Sequence, residues 1–295
     1  MTLRSHLIIG SFGVVDRIDL LKVTILGVFF IMMSQANCFA QSKSQAMIID
    51  LLLGEPVPFD QALDDMAKTR IIYLGEHHTI ARHHKLQLDV IRGLAQRGLS
   101  LSVGLEMFST EQQATLDEWS NSQRDIGELA RRLGPERWTN LQDYAEILKF
   151  AREIKAPILG LNAADALVRK VAREGLDSLS DIERQSIPSD VGDINPQYER
   201  LLRLKLRVHK SFQDKKLEKI ILAQAVRDSV MSGTIVDFLS STAGAGKCIV
   251  VIAGSGHLNY GFGIPERVER KINLDHRIIL PSESGELVLS EQELR

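Results

Sequence analysis

The sequence lacks the features that mark several classes of protein. Its 295 residues include only two cysteines, so a disulfide scaffold is excluded. Neither sign of charge dominates, because 36 Lys and Arg stand against 38 Asp and Glu, which argues against a protein that mainly coats nucleic acid. Hydrophobic residues make up 44% and charged residues 25%, as in soluble globular chains. This composition excludes a disordered chain, collagen and a polytopic membrane protein, and the length predicts one large domain.

The first forty residues have the pattern of an export signal. Basic residues precede an apolar run from Val23 to Met33, and the small-x-small sequence Cys38-Phe39-Ala40 follows. We therefore predict a signal peptide over residues 1–40, cleaved after Ala40, and a mature chain 41–295 in the periplasm or the membrane-associated cell envelope. The alternatives are an uncleaved anchor, a buried helix, or a lipid anchor at Cys38, although Gln35-Ala36-Asn37 fits a lipoprotein signal poorly.

The remaining sequence alternates short apolar runs with helical stretches. Strands are predicted over residues 70–74, 99–105, 157–161, 248–253 and 277–280. Helices are predicted over residues 80–97, 110–154, 163–174, 196–212, 215–239 and 265–271. This alternation is typical of an α/β fold with a mainly parallel sheet flanked by helices. The surplus helices at about 110–154 and 176–240 predict a smaller helical subdomain within the 41–295 domain.

Acidic and histidine side chains follow three of the predicted strands. Glu76 and His78 follow the first strand, Glu106 the second and His257 the fourth. Because the carboxyl ends of parallel strands lie at one edge of a sheet, we expect these side chains to gather there. The alternative is structural: the two glutamates cap helices and one histidine is a satisfied core residue. Gly254-x-Gly256 matches only half of a dinucleotide fingerprint, so nucleotide binding is not expected.

Two polar residues interrupt the apolar face of the predicted helix over residues 215–239. Gln224 and Asp228 share that face with Ile221 and Met231. A buried carboxylate needs a partner, and the adjacent Arg227 is a candidate to supply charge at the rim. An internal contact that fixes helix packing explains the pattern equally well.

Four blocks of sequence carry a family resemblance. They are Tyr73-Leu74-Gly75-Glu76-His77-His78, Gly104-Leu105-Glu106-Met107-Phe108, Gln224-x-x-Arg227-Asp228-x-x-Met231 and Ala253-Gly254-Ser255-Gly256-His257-x-x-Tyr260. In this order they resemble the ChaN-like family of bacterial haem-binding proteins, within the wider Tiki/erythromycin-esterase-like superfamily, over about residues 58–281. The family motif is expected to have a small residue between its glutamate and its histidine. Here His77 directly follows Glu76, so His78 rather than His77 is the counterpart of the motif histidine.

The resemblance implies a haem-binding protein of the bacterial cell envelope that acts in haem or iron acquisition. It also implies a homodimer that holds haem between its protomers, and envelope iron-uptake components as partners. Haem iron takes an axial Tyr, His, Cys or Met, and Tyr260 and His257 lie three residues apart beside a glycine-rich turn. We expect both to reach one pocket, with Arg227 and His78 as further haem-binding residues.

The rival hypothesis is a metal-dependent hydrolase. Glu76, His78, Glu106 and His257 would form its catalytic cluster at the strand ends, with His78, Glu106 and His257 binding a divalent metal ion. One of these groups would instead act as a general base on water. A third hypothesis is a degenerate site on a partner-binding scaffold. Hydrolysis requires convergence in one small polar pocket, whereas haem requires a wide apolar slot.

Overall fold

The computed structural model describes residues 47–134, 138–209 and 214–283. The predicted signal peptide and Cys38 lie outside these residues. The described residues from Ile48 onward form one compact unit. In the described part of the chain, no helix is both long and apolar enough to span a bilayer.

Strands and helices alternate along this unit as the sequence predicts. The strands are β1 Ile48–Asp50, β2 Glu55–Val57, β3 Ile71–Glu76, β4 Leu101–Ser109, β5 Ile158–Asn162, β6 Cys248–Gly254 and β7 His276–Ile279. The helices are α1 Phe59–Met66, α2 Ala81–Gln96, α3 Gln113–Ser120, α4 Ile126–Leu133, α5 Ala145–Glu153, α6 Asp165–Glu174, α7 Asp181–Gln185, α8 Pro196–His209, α9 Asp214–Ser240 and α10 Ile264–Glu269.

Five strands form one sheet in the order β5-β4-β6-β3-β7, and all neighbouring strands are parallel. The predicted α/β fold is therefore confirmed. Every residue of β6 is buried, which fits the unbroken apolar run predicted for the middle of a parallel sheet. The sequence pattern does not predict the antiparallel hairpin β1–β2 or helix α1, because three consecutive leucines and Pro58 obscure any period of two or 3.6 in this segment.

The two faces of the sheet carry separate hydrophobic cores. Along β3, Ile72 and Leu74 contribute to the core that includes Tyr144 and Ile147, whereas Ile71 and Tyr73 contribute to the opposite one. This division follows from the alternation of side chains along a strand. The predicted helical stretch 110–154 therefore packs on the first face of the sheet.

The long helix α9 links three cores. Its C-terminal part places Met231 and Ile235 on the second face of the sheet. Its middle packs Val226 in a cluster with helix α6, and its N-terminal part packs Leu217 against helix α8. The predicted helical stretch 176–240 thus packs partly on the sheet and partly in clusters of its own.

Strand register decides which side chains meet at the carboxyl edge of the sheet. Glu76 at the end of β3 pairs in register with Gly254 at the end of β6. On the other side of β6, Leu105 pairs with Ile252, so Glu106 lies one residue further toward the same edge. The sheet thereby brings two glutamates to the two sides of Gly254.

Candidate functional site

Glu76 is a buried carboxylate surrounded by donors from three segments. His78 Nδ1 lies 2.6 Å from Glu76 Oε1, and the Tyr144 hydroxyl donates to the same oxygen. Gln87 Nε2 donates to Glu76 Oε2 at 2.8 Å, and His84 Nε2 lies 3.5 Å from that oxygen. This network holds the His78 ring by its Nδ1 atom and leaves Nε2 for other contacts.

His257 lies between two further carboxylates. Its Nε2 is 3.2 Å from Glu106 Oε1, and its Nδ1 is 2.5 Å from Asp228 Oδ1. Asp228 also accepts a hydrogen bond from the Tyr198 hydroxyl at 2.9 Å, and Glu106 accepts one from the Gly254 amide at 2.6 Å. The histidine and both carboxylates are at most 6% exposed.

Electrostatics favour the ionised forms in this second network. Burial alone would lower the pKa of His257, but Glu106 and Asp228 outweigh it and raise that pKa. Burial alone would raise the pKa of Glu106, but His257 and the Gly254 amide lower it. His257 is therefore an imidazolium that neutralises part of the buried acidic charge.

The two networks meet at Gly254. A Cβ atom at this position would lie 3.0 Å from His78 Nε2 and 3.5 Å from Glu106 Oε2. The pKa of His78 is raised, because the hydrogen bond that its ring donates to Glu76 and the nearby charge of Glu106 outweigh the opposing effect of burial. We refer to Glu76, His78, Glu106, Asp228 and His257 as the carboxylate–histidine cluster.

A cleft of about 250 Å³ opens beside this cluster. Its walls come from the ends of β4 and β5 and the segments that follow them, and they consist of Glu106, Met107, Ser109, Gln112, Trp138, Thr139, Asn162, Ala163 and Asp165. The Trp138 ring contacts the His78 ring edge-on, with 4.9 Å between centroids. The cleft is therefore a small, partly polar space next to the cluster.

The structure brings Glu76, His78, Glu106 and His257 together at one edge of the sheet, as the strand pattern predicts. His77 instead reaches the surface, where its Nε2 lies 2.9 Å from Glu283 Oε1.

Two predictions about the cluster gain no support from its geometry. In the described part of the chain, no group of three or more His, Cys, Asp or Glu side chains has the arrangement of a metal site. The predicted metal ligands His78, Glu106 and His257 are not arranged as a metal site, and the two ring nitrogens of His257 face Glu106 and Asp228. His257 is also buried, and its role as a haem ligand stays a prediction.

Arg227 lies at the rim, where the sequence places it as a candidate to supply charge. Its guanidinium lies 3.2 Å from Asp165 Oδ1, on the rim of the cleft, whereas the partners of Asp228 are His257 and Tyr198. Helix α9 turns by about 100° per residue, so adjacent residues point in different directions and Arg227 faces another neighbour.

Tyr260 does not share the environment of His257. It is 75% exposed, and the other three tyrosines of the sequence, Tyr73, Tyr144 and Tyr198, are buried. Its backbone has a φ of +59°, a region that non-glycine residues rarely occupy. Tyr260 and His257 therefore do not meet in one pocket, contrary to the expectation from their spacing.

Sequence reasoning missed several residues of the site. Tyr144 and Trp138 come from the helical stretch 110–154, and Tyr198 begins helix α8. No motif or strand end marks them. The only available signal was the need of a buried carboxylate for donors, which predicts that partners exist but does not identify them.

Comparisons with known proteins agree on the fold. The family model described as haem-binding uptake, Tiki superfamily, ChaN matches residues 62–268. The solved structure of cofacial haem binding to ChaN of Campylobacter jejuni is similar with a TM-score of 0.63 and 20% identity, over 80% of this chain and 90% of that one. A mutant of the erythromycin esterase EreC gives a TM-score of 0.46 and 19% identity, over 76% and 73% of the two chains.

One curated relative comes from a plant. Protein RETICULATA-RELATED 5, chloroplastic, of Arabidopsis thaliana is 27% identical in an alignment 252 residues long, which covers 78% of this chain and 34% of the relative. The chain thus spans about a third of the length of this relative.

Proposed function

The chain belongs to the ChaN family of haem-binding uptake proteins in the Tiki superfamily, and from this we propose that it binds haem at the bacterial cell envelope and serves haem or iron acquisition. The observation that carries the proposal is the exposure of Tyr260. The envelope location rests on the predicted export signal, with either cleavage after Ala40 or a lipid anchor at Cys38.

Tyr260 is the tyrosine that haem can reach. A phenolate oxygen is an axial ligand for haem iron, and the hydroxyl groups of the other tyrosines are enclosed in the protein. Tyr144 and Tyr198 also donate to Glu76 and Asp228, so their oxygens are engaged. The left-handed backbone at Tyr260 supports a functional role, because strained conformations persist where a function requires them.

The neighbourhood of Tyr260 suits the rest of the haem molecule. The ring of Phe262 lies 6.3 Å from that of Tyr260 and 5.9 Å from that of Tyr198, near the start of helix α8. This helix exposes the cationic side chains of Arg200 and Lys205. The aromatic ring beside Tyr260 and the cations on this helix would suit the apolar ring and the two propionates of haem.

A surface ligand also favours a dimeric arrangement. A haem held by the exposed Tyr260 keeps much of its apolar face accessible to water, and a second copy of the complex would cover that face. The Campylobacter protein is described as binding haem cofacially. We therefore propose a homodimer that forms around haem, with envelope iron-uptake proteins as donors or acceptors.

Haemin titration of the full chain tests this proposal. We expect a saturable shift of the Soret band and a high-spin ferric spectrum in the wild type. Tyr260→Phe should weaken binding at least tenfold and remove the high-spin signature. His77→Ala is the matched control, since His77 is a partly exposed histidine at another site. If Tyr260→Phe binds and absorbs as the wild type does, Tyr260 is not the ligand.

Hydrolysis is the second candidate function, and the carboxylate–histidine cluster favours it. Glu76 holds His78 through Nδ1 at 2.6 Å, beside the cleft of about 250 Å³. A carboxylate that orients an imidazole is the arrangement of a general base. In this role His78 would take a proton from water, Glu76 would stabilise the resulting imidazolium, and the cleft would hold a small ester or amide.

Short-chain esters such as p-nitrophenyl acetate test this second function. We expect turnover that falls at least a hundredfold in His78→Asn and stays unchanged in His77→Asn. An assay with and without EDTA separates a metal-dependent reaction from a general-base reaction. Equal rates in His78→Asn and the wild type would exclude this role for His78.

A further inference from the structure

The hairpin β1–β2 presents three consecutive leucines to solvent. Leu51, Leu52 and Leu53 form its tip and are 81%, 96% and 72% exposed. We refer to these three residues as the hairpin tip. Elsewhere in the described part of the chain, large exposed hydrophobic residues such as Ile182 and Leu204 stand singly. Isolated exposed apolar side chains are normal, but a contiguous group indicates a surface that binds something.

Three backbone amides at and beside the hairpin tip are satisfied within the hairpin. Asp50 Oδ1 accepts from the amides of Leu52 at 2.8 Å and of Leu53 at 3.2 Å. The amide of Gly54 donates to the Asp50 carbonyl oxygen at 2.7 Å. These amides need no water, so the tip can enter an apolar medium without leaving them unpaired.

The base of the hairpin is fixed to the folded unit. Ile48 and Val57 pair across the two strands, and both side chains pack against the core on the first face of the sheet, together with Phe59 at the start of helix α1. The tip is therefore a convex projection on a firm support. A projection of this shape inserts into a partner, whereas a groove would receive one.

We propose that the hairpin tip inserts into the interface of a lipid bilayer. Its apolar side chains are unbranched at Cβ and convex, which suits insertion among acyl chains rather than a shaped protein pocket. Its flanking charges, Asp50 and Glu55, are acidic, so attraction to anionic headgroups does not drive the contact. The tip begins 13 residues after Cys38, the alternative lipid anchor of the predicted export signal. It would hold the protein on the membrane as a second, weaker contact.

This inference goes beyond haem binding and does not depend on Tyr260. It extends the proposed envelope location, because a single weak contact seldom holds a protein on a membrane and two contacts together do. A failure of the haem experiment would leave it untouched, and the reverse also holds.

Tryptophan fluorescence of the full chain tests it. Leu52→Trp places a reporter on the tip, and Ile182→Trp places one at a single exposed apolar position on helix α7. With vesicles of dioleoylphosphatidylcholine we expect a blue shift of Leu52→Trp emission, and with brominated phosphatidylcholine at least a twofold quenching. Ile182→Trp should show neither. Wild-type emission from Trp119 and Trp138 is subtracted.

A second set of variants shows whether the leucines act together. Adding Leu51→Ser and Leu53→Ser to Leu52→Trp should abolish the quenching while the circular dichroism spectrum stays unchanged, because the three side chains lie outside the core. Adding phosphatidylglycerol to the vesicles should not strengthen binding. Three results would overturn the proposal: no response of Leu52→Trp, equal quenching of Ile182→Trp, or a concentration-dependent blue shift without vesicles, which would mean that a second copy of the chain covers the tip.

Discussion

His257 Nδ1 lies 2.5 Å from Asp228 Oδ1 and joins the end of strand β6 to the middle of helix α9. Both residues are buried, and the second ring nitrogen of His257 faces Glu106 on strand β4. One imidazolium thus connects the sheet with the helix that packs on it. Its charge state affects both the fold and the carboxylate–histidine cluster.

Stability should depend on pH through this cluster. The pKa of His257 is raised from 6.5 in the folded protein, so its contribution is fully present below pH 6.5 and is lost as pH rises through the folded pKa. The pKa of Glu106 is lowered from 4.5, so its contribution is present above pH 4.5 and is lost as pH falls. His78 and Tyr198 also face these groups. The free energy of unfolding, measured with urea between pH 5 and 9, should fall as the pH rises. This fall should be smaller in His257→Gln than in the wild type, and equal slopes in the two proteins would contradict the role assigned to His257.

Asp228→Asn should destabilise the protein by about 3 kcal/mol, because it removes one partner of a buried ion pair. The asparagine keeps an acceptor for the Tyr198 hydroxyl, so the loss reports the charge rather than the hydrogen bond. Asp237→Asn is the matched control on the same helix, and we expect a change within about 0.5 kcal/mol at that exposed site. Chemical denaturation measures both. Similar effects of the two substitutions would rule out a special role for Asp228.

Tyr260→Asn should stabilise the protein by about 1 kcal/mol, because asparagine tolerates the left-handed backbone that tyrosine adopts here. The same substitution should abolish haem ligation. Lys155 has a similar φ of +55°, so Lys155→Asn should stabilise comparably and leave the haem spectrum unchanged. Thermal unfolding with and without haemin compares the variants. A loss of stability in Tyr260→Asn would refute the idea that strain is held at this turn.

Gly254→Ala should disturb the cluster, because the new methyl group would lie 3.0 Å from His78 Nε2. We expect a cost of about 1–3 kcal/mol, typical of overpacking, and a changed NMR titration of His78. Gly256→Ala is the control two residues away, where a Cβ meets nothing within 4 Å. If both substitutions behave alike, close packing at Gly254 is not what positions His78.

Sequence patterns predicted the sheet well because four of its five strands are short apolar runs followed by a helical segment. The same reasoning found Glu76, Glu106 and His257, since the ends of parallel strands share an edge. It failed for Tyr260, where a spacing of three residues suggested a shared pocket. The backbone at Tyr260 has a positive φ. A local change of backbone direction of this kind leaves no periodic pattern in the sequence, so it could not be predicted. Partners such as Tyr144 depend on tertiary contacts across 68 residues of sequence.

The packing of helix α9 determines how the protein unfolds. The helix has 27 residues and contributes to three hydrophobic cores. One core therefore cannot separate from the helix while the other two stay intact. Local fluctuations at one end of the helix are therefore coupled to the sheet at the other end. Its central amides, around Asp228, should exchange their hydrogens only when the whole unit unfolds cooperatively.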